Sequence, residues 1–313
     1  IRDFWGRIFE NNLKLFSLST GMFARPFGYE VNLSSRDRES PERGRMSQIL
    51  MKTERDLGMM VSFEQREREN WLRYIKIDAG IFNGQGLAAP AEYDSYKDFI
   101  GKIAVKPLPV SKNLFASAGF SYFRGGFIQN NKYVYSLKDK NNIKEFEVDS
   151  NAARNGKELP RHYNGTDAQL KWQINKNNIA EIRGEYWWGR QTSSANNSET
   201  PALLLTEPYY IRDFNGAFFY LLYTINKKHQ FGLKYDWYDP NTKLSGTQIG
   251  STLNSHTADI RYNTLGFGYT NYIDENLKIV AWYSRVKNES TSLAGFEKDI
   301  KDNVFTLRFQ YTF

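Results

Sequence analysis

The sequence has no cysteine, only three histidines and no long apolar segment. Without cysteine, disulfides and thiolate metal sites are excluded. The longest apolar stretch, "GAFFYLLYTI" at 216–225, is about half of the roughly 20 residues that a membrane-spanning helix needs. The chain is therefore not a bundle of transmembrane helices.

The histidines do not form a recognisable catalytic or metal-binding pattern. His229 falls in a short polar turn, while His162 and His256 lie in or beside long loops. His256 precedes Asp259 by three residues and could pair with it, but no nucleophile of known spacing accompanies them. No paired histidines or "DxDxDG" calcium loop occur. We therefore expect neither an enzyme nor a metal or cofactor site.

Aromatic residues are abundant, yet the chain is polar on average. Phe, Tyr and Trp make up 16% of the residues, while the mean hydropathy is −0.63. This combination is typical of a closed sheet with one face in lipid and the other in water. The net charge of +7 is compatible with nucleic acid, anionic lipid or small anions as partners. No basic patch interleaved with aromatics lies outside the strand pattern, so nucleic acid is rejected.

Large apolar residues alternate with polar ones along many segments. The last segment, "NVFTLRFQYTF" at 303–313, places Phe305, Leu307, Phe309, Tyr311 and Phe313 on one face. Arg308 falls on the other face. A period of two predicts β-strands with unlike faces. Arginine on a lipid face at mid-membrane costs about 2–4 kcal/mol, so we place Arg308 on the inner, lumen side.

Short polar turns and long polar loops alternate between these segments, as in an outer-membrane barrel. The chain is thus expected to form a single all-β domain, 1–313, a transmembrane antiparallel β-barrel. Thirteen strands are predicted, near 2–9, 12–24, 55–65, 71–86, 97–110, 114–130, 161–174, 179–193, 212–225, 230–244, 258–273, 277–290 and 303–313. The long loop at 131–160 can add a hairpin of its own.

The number of predicted strands is odd. The first strand ends in a short turn, whereas a barrel with both termini on the short-turn side begins with a strand that ends in a long loop. We therefore expect an odd number of strands before Ile1, most simply one or three. The full barrel would then have 14 or 16 strands.

Basic side chains on the polar face are candidates for attracting anions into the lumen. They are Lys76, Lys102, Lys106, Lys171, Arg183, Lys234 and Arg308, joined by Arg25 at the top of a strand. Acidic side chains share that face, namely Asp78, Asp167, Glu181, Glu185 and Asp236. Mutual neutralisation across neighbouring strands is the alternative interpretation.

The loop at 25–54 is a candidate constriction. It contains Arg36, Arg38, Arg43 and Arg45, whose guanidinium groups can hold phosphate in a bidentate manner. Acids alternate with these arginines, which favours a self-paired network that fixes the loop to the wall. Arg25 is then expected to be the freer cation.

The seven tryptophans are interpreted mainly as interfacial girdles. Trp71, Trp172, Trp188 and Trp237 fit that assignment, with Tyr283 and Tyr311. Trp187 and Trp282 could instead point inward and stack on sugars.

The region 20–107 resembles the phosphate-selective porin O and P family. The matching residues are Pro26 to Glu30 ("PFGYE"), Ser34-Ser35, Glu42-Arg43 and Arg55 to Gly58, followed by "GIFNGQG" at 80–86 and "YKDFIGKIAVKP" at 96–107. Gly44 stands where that family has serine. The resemblance implies a 16-stranded, usually trimeric barrel with three strands upstream.

These observations predict a porin in the outer membrane of a Gram-negative-type bacterium. It would let small hydrophilic solutes diffuse passively, favouring anions such as phosphate. Its expected partners are outer-membrane lipid, small anionic or neutral solutes, and either further copies in a homotrimer or a larger envelope complex. The alternative is a structural or docking barrel whose lumen is plugged by loops.

Overall fold

The computed structural model describes residues 3–67, 69–87, 92–141 and 143–312. Within them, fifteen strands belong to one sheet. The strands are β1 Phe4–Phe9, β2 Phe16–Ala24, β3 Arg55–Glu64, β4 Ile75–Phe82, β5 Asp98–Ser111, β6 Leu114–Ile128, β7 Val134–Lys140, β8 Ile143–Asp149, β9 Glu158–Gln173, β10 Ile179–Ser193, β11 Tyr209–Ile225, β12 His229–Asp239, β13 Tyr262–Tyr272, β14 Leu277–Asn288 and β15 Val304–Tyr311.

Thirteen strands follow one another in an antiparallel order that matches the sequence prediction. The path runs from β1 to β6, continues with β9 and ends at β15. The remaining two strands, β7 and β8, form the hairpin expected in the loop at 131–160. β7 also pairs in parallel with the start of β11, where Val134 lies opposite Tyr209. Because the path is open between β1 and β15 in the described residues, strands before Ile1 stay a prediction.

Helical structure is sparse. The helices are α1 Arg45–Leu50 and the short α2 Gln248–Ser251, with 3-10 turns at Glu30–Asn32, Trp71–Tyr74, Ala152–Arg154 and Thr257–Asp259. In the part of the chain that the structure describes, no helix is long and apolar enough to cross a membrane. The turn at Trp71–Tyr74 replaces the predicted start of a strand at 71, because the Asn70 side chain accepts a hydrogen bond from Leu72 N at 3.0 Å and caps it.

The two faces of the sheet differ as the alternation predicts. On β15, Phe305, Leu307 and Phe309 are 68%, 55% and 68% exposed on the outer face. Arg308 lies between them on the inner face and is partly buried. The same outer pattern recurs in β11 and β12, at Phe219, Leu221, Phe231 and Leu233 among others. The predicted position of Phe313 lies outside the described residues.

The inner face is less polar than the sequence suggests. The largest apolar cluster joins inward side chains of strands between β2 and β14 with residues of the segment 25–54. Members from that segment are Phe27, Val31, Met46, Leu50 and Met51, and members from the wall include Phe123, Tyr163, Trp187, Phe214 and Phe218. Trp187 and Trp282 point inward, as the sugar-stacking alternative required, but at 0% and 3% exposure within this cluster they offer no free ring face for stacking.

Candidate pore and its inner loop

The segment 25–54, here the inner loop, is seated on the inner face of the sheet. The loop follows the end of β2 at Ala24, and its fourth residue, Gly28, has a φ of 64°, in the left-handed region. A Cβ at Gly28 would lie 2.0 Å from Glu185 Oε1 and 2.8 Å from the Trp187 ring. Gly28 N donates to Ser121 Oγ at 3.0 Å, and Lys102 donates to Gly28 O. Only glycine fits this approach between loop and wall.

Glu185 of β10 anchors the start of the inner loop. Its carboxylate accepts hydrogen bonds from Tyr29 N and Glu30 N, both at 2.9 Å, and from Trp187 Nε1. Glu185 is 2% exposed. The expectation that it neutralises Arg183 or Lys171 is therefore replaced by a structural role: it fixes the backbone at the turn Glu30–Asn32.

Glu30 closes the inner loop on itself. Its carboxylate accepts from Gly44 N at 2.8 Å and from the Ser47 hydroxyl, so it joins the first turn of the loop to α1. Lys234 Nζ lies 4.0 Å from the same carboxylate and 3.5 Å from Asp236. Lys234 is thus a buried anchor rather than a free cation, being 3% exposed.

The tip of the inner loop is held by basic side chains of the wall. Arg183 pairs with Glu39, and Lys278 donates to the carbonyls of Arg36 and Arg38, the latter at 3.1 Å. Arg308 donates to Pro41 O at 2.8 Å and lies 3.9 Å from Glu42. The alternation along β14 places Lys278 on the inner face, but our sequence analysis did not include it.

The arginines of the inner loop are mostly not paired with its acids, so the expected self-paired network is wrong. Arg43 is the exception, with Glu54 at 3.5 Å and Val31 O at 3.2 Å. Arg45 lies over the Tyr262 ring, 3.9 Å from its centroid. For Arg36 and Arg38, the described residues provide no ion pair. Of the loop acids, Glu39 pairs with Arg183 and Glu42 lies 3.9 Å from Arg308, both on the wall, so neither forms an ion pair with Arg36 or Arg38.

Burial shifts two ionisable groups of the tip. It raises the pKa of the Glu39 carboxyl, although Arg183 beside it acts in the opposite direction. It lowers the pKa of Arg38, and the nearby positive charge of Arg43 acts in the same direction. Arg38 Nε is buried and has no hydrogen-bond partner in the described structure.

Arg25 is not the freer cation that the sequence suggested. It is 4% exposed and donates to Thr53 O, at the other end of the inner loop. The sequence could place Arg25 at the top of β2 but could not show that the loop returns over it.

Most of the predicted lysines are paired with wall acids. Lys76 lies 3.2 Å from Asp78, Lys102 3.3 Å from Asp167, and Lys106 2.8 Å from Glu64. These lysines are neutralised, but not across neighbouring strands as the alternative had it: Lys76 and Asp78 share β4, and in the other two pairs one strand lies between the partners. Lys171 is exposed and lines a cavity toward the short-turn end of the sheet.

Cavities lie on both sides of the inner loop. Toward the long loops, a cavity of 510 Å³ is lined by Arg25, Arg161 and several residues of the segment 194–207. It adjoins a second cavity of 680 Å³, and the two share the lining residues Lys52, Asn197 and Glu199. Toward the short turns, cavities of 510 and 600 Å³ share Tyr29 and Lys102. Among the described lining residues, Lys and Arg outnumber Asp and Glu by one in each cavity.

Two of the histidines, His256 and His229, take part in hydrogen bonds within the local structure. His256 N donates to the Asp259 carboxylate at 2.8 Å in a capping box, so this pair begins the turn Thr257–Asp259 and is not the acid–base pair considered from the sequence. His229 Nδ1 lies 2.7 Å from the Tyr269 hydroxyl. Within the described residues, no group of three or more His, Cys, Asp or Glu side chains could hold a metal.

No protein-family model matches the chain, and no curated protein does either. The resemblance to phosphate-selective porins therefore stays a prediction. Solved structures are similar at low identity. OprB of Pseudomonas putida is 10% identical with a TM-score of 0.57, over 99% of this chain and 72% of that chain. The outer membrane channel DcaP of Acinetobacter baumannii is 11% identical with a TM-score of 0.49, over 95% and 71%.

An anion-selective porin from Comamonas acidovorans is 10% identical with a TM-score of 0.46, over 94% and 69%. Of these three, only OprB exceeds a TM-score of 0.5, so the comparison of fold rests on it. The antiparallel order of long strands, the apolar outer face and this likeness agree. The chain has an all-β fold, one large antiparallel sheet similar to that of OprB.

Proposed function

We propose that the protein is an outer-membrane channel through which small hydrophilic solutes diffuse passively. The observation that carries the proposal is the position of the inner loop, with cavities that include charged lining residues on both sides of it. Such a loop narrows the path and sets which solutes cross. The apolar outer face of the strands supports a location in lipid.

We further propose that the channel favours small anions, phosphate among them. Positive charge exceeds negative charge in each cavity, and Arg36 and Arg38 keep guanidinium groups that the wall does not neutralise. A narrow path between low-dielectric walls strengthens the effect of such a small excess. Phosphate itself, and assembly as a homotrimer, rest on the family resemblance alone.

Planar-bilayer recordings in asymmetric KCl test both parts. We expect open conductance steps and a reversal potential of the sign for anion selectivity. The double variant Arg36→Gln/Arg38→Gln should lower that selectivity. A matched control, Lys112→Gln/Lys176→Gln, removes two charges from exposed short-turn residues and should leave it unchanged. Cation selectivity of the wild type would refute the anion preference.

A second function is favoured by the apolar packing of the inner loop. Phe27, Val31 and Met46 are each at most 1% exposed, which is the packing of a plug rather than of a mobile gate. The barrel would then be a docking subunit of an envelope complex, with the β7–β8 hairpin as a contact arm. A correctly folded barrel that is silent in bilayers supports this function and contradicts the channel.

A further inference from the structure

The cavity of 510 Å³ beside Arg25, here the outer cavity, has a composition that the pore function does not explain. It lies between the end of the inner loop, at Leu50 to Thr53, and the loop that joins β10 to β11. Its volume is within the range of about 300–1,000 Å³ that is usual for small-molecule sites. Buried cations line one part of it, and leucines line another.

Arg25 and Arg161 form the cationic part. Each is 4% exposed, and the Nε atom of each is buried without a hydrogen-bond partner in the described structure. Arg161 is neutralised by Asp98, with Nη2 2.9 Å from Oδ2, and also donates to Gly84 O at 3.0 Å. Arg25 donates to Thr53 O and has no ion pair among the described residues. Asp56 and Asp98 are the acids whose charges act on Arg25, but among the described residues neither lies within ion-pair distance of it, so an anion of the ligand could approach the guanidinium group directly.

The apolar part is the segment 201–205. Pro201, Ala202, Leu203, Leu204 and Leu205 all line the outer cavity, and Leu203 is 57% exposed. Leu205 packs against the apolar cluster around Tyr209 and Leu204 is half-buried, so Leu203 is the leucine that gains nothing from its exposure to water. These side chains offer a surface for the apolar body of a ligand.

The acids of the outer cavity limit the charge of its ligand. Glu199 is paired with Lys52 at 2.7 Å, and Glu207 also lines the cavity. A second negative charge on the ligand would be repelled by the Glu207 carboxylate, whereas a single negative charge can be placed at Arg25. The lining therefore favours a monoanion over a multiply charged one such as phosphate.

We propose that the outer cavity binds an aliphatic or aryl monocarboxylate, with its carboxylate at Arg25 and its apolar body against Leu203 to Leu205. This proposal rests on the proposed function in one respect: the ligand would be a solute that binds at the long-loop end of the channel. The adjoining cavity, which shares Lys52, Asn197 and Glu199, is its onward path.

Isothermal titration calorimetry on the protein in lipid nanodiscs tests the site, with empty nanodiscs as the blank. The probe is 3-phenylpropionate, compared with acetate, 3-phenylpropan-1-ol and inorganic phosphate. We expect 3-phenylpropionate to bind at least about tenfold more tightly than each of the others, because only it supplies both the charge and the apolar body.

Two variants separate the two parts of the site. Arg25→Gln should weaken 3-phenylpropionate binding by about tenfold or more, because it removes a charge-assisted hydrogen bond. Leu203→Ser should weaken it severalfold and leave acetate unchanged, and since Leu203 is exposed this variant is expected to fold. Arg154→Gln and Leu253→Ser, at exposed loop residues outside the cavity, are the controls.

The outcomes distinguish this site from the channel itself. Equal binding of acetate or phosphate, or a Leu203→Ser protein with wild-type affinity for 3-phenylpropionate, overturns the proposed site even where bilayer conductance is observed. Binding that follows the expected order, in a protein without conductance, supports the site and contradicts the channel.

Discussion

Glu185 offers the sharpest test of how the inner loop is held. Its carboxylate accepts three hydrogen bonds, two of them from the loop backbone at Tyr29 and Glu30. In Glu185→Gln the amide oxygen still accepts, but the amide nitrogen faces at least one N–H donor in a buried site. A buried donor without a partner costs about 1–3 kcal/mol, which multiplies the population of released loop by about 5- to 150-fold.

Limited trypsin digestion reports this population, because Arg38 and Arg43 are half-buried in the docked loop and become more accessible when it leaves the interior. We expect cleavage in the segment 25–54 to accelerate by that factor in Glu185→Gln while the strands stay intact. Glu181→Gln is the matched control, since Glu181 lies on the same strand and contacts Arg183 at 3.4 Å but not the loop backbone. An unchanged cleavage rate in Glu185→Gln would refute the anchoring role.

Three further predictions concern the wall and its charges. Because burial raises the pKa of Glu39, its carboxyl protonates at a higher pH than the ordinary value of about 4.3, and Arg183 then keeps only Glu181 as an acidic partner. Acidification should therefore increase anion preference in reversal-potential measurements, and Glu39→Gln should show the higher preference already at neutral pH; equal pH profiles in both proteins would contradict this. Arg308→Ala should reduce anion preference. It should change the free energy of unfolding in urea by less than about 1 kcal/mol, because the side chain of its partner Glu42 is 72% exposed. A larger loss of unfolding free energy would show that Arg308 has a buried structural role. Leu307→Arg should cost about 2–4 kcal/mol in the same assay because it places a charge in lipid, whereas Thr306→Arg on the inner face should cost much less, and similar costs would reverse the assigned faces.

The strand order could be predicted from the sequence because two unlike solvents impose a period of two. On β15, the apolar side chains of Phe305, Leu307 and Phe309 lie on the outer face, which suits lipid, and Arg308 lies on the inner face. The same rule located the thirteen consecutive strands and the additional hairpin. It failed at 71–74, where a local cap at Asn70 competes successfully with the strand pattern.

The partners of the inner face could not be predicted in this way. Alternation states which face a residue occupies but not what lies opposite, and Glu185 is 155 residues from Glu30, whose backbone it binds. Trp187 and Arg25 are buried for the same reason: the inner loop covers them. The one local signal was Gly28, next to Phe27 in the "PFGYE" motif, which marks a close approach of backbone to the wall.

The seating of the inner loop redistributes charge in a way that bears on selectivity. Arg183, Lys234 and Lys278 on the wall are occupied by loop carboxylates and carbonyls, so they act mainly as anchors. Because Glu39 and Glu42 of the loop lie beside Arg183 and Arg308 of the wall, they do not form ion pairs with the loop's own arginines Arg36 and Arg38. Selectivity should therefore follow Arg36 and Arg38 more closely than the wall lysines, although the sequence favoured the wall cations and predicted that the loop arginines are paired. A channel built in this way couples its anion preference to the docking of the loop, because releasing the loop exposes the wall cations and the loop acids together.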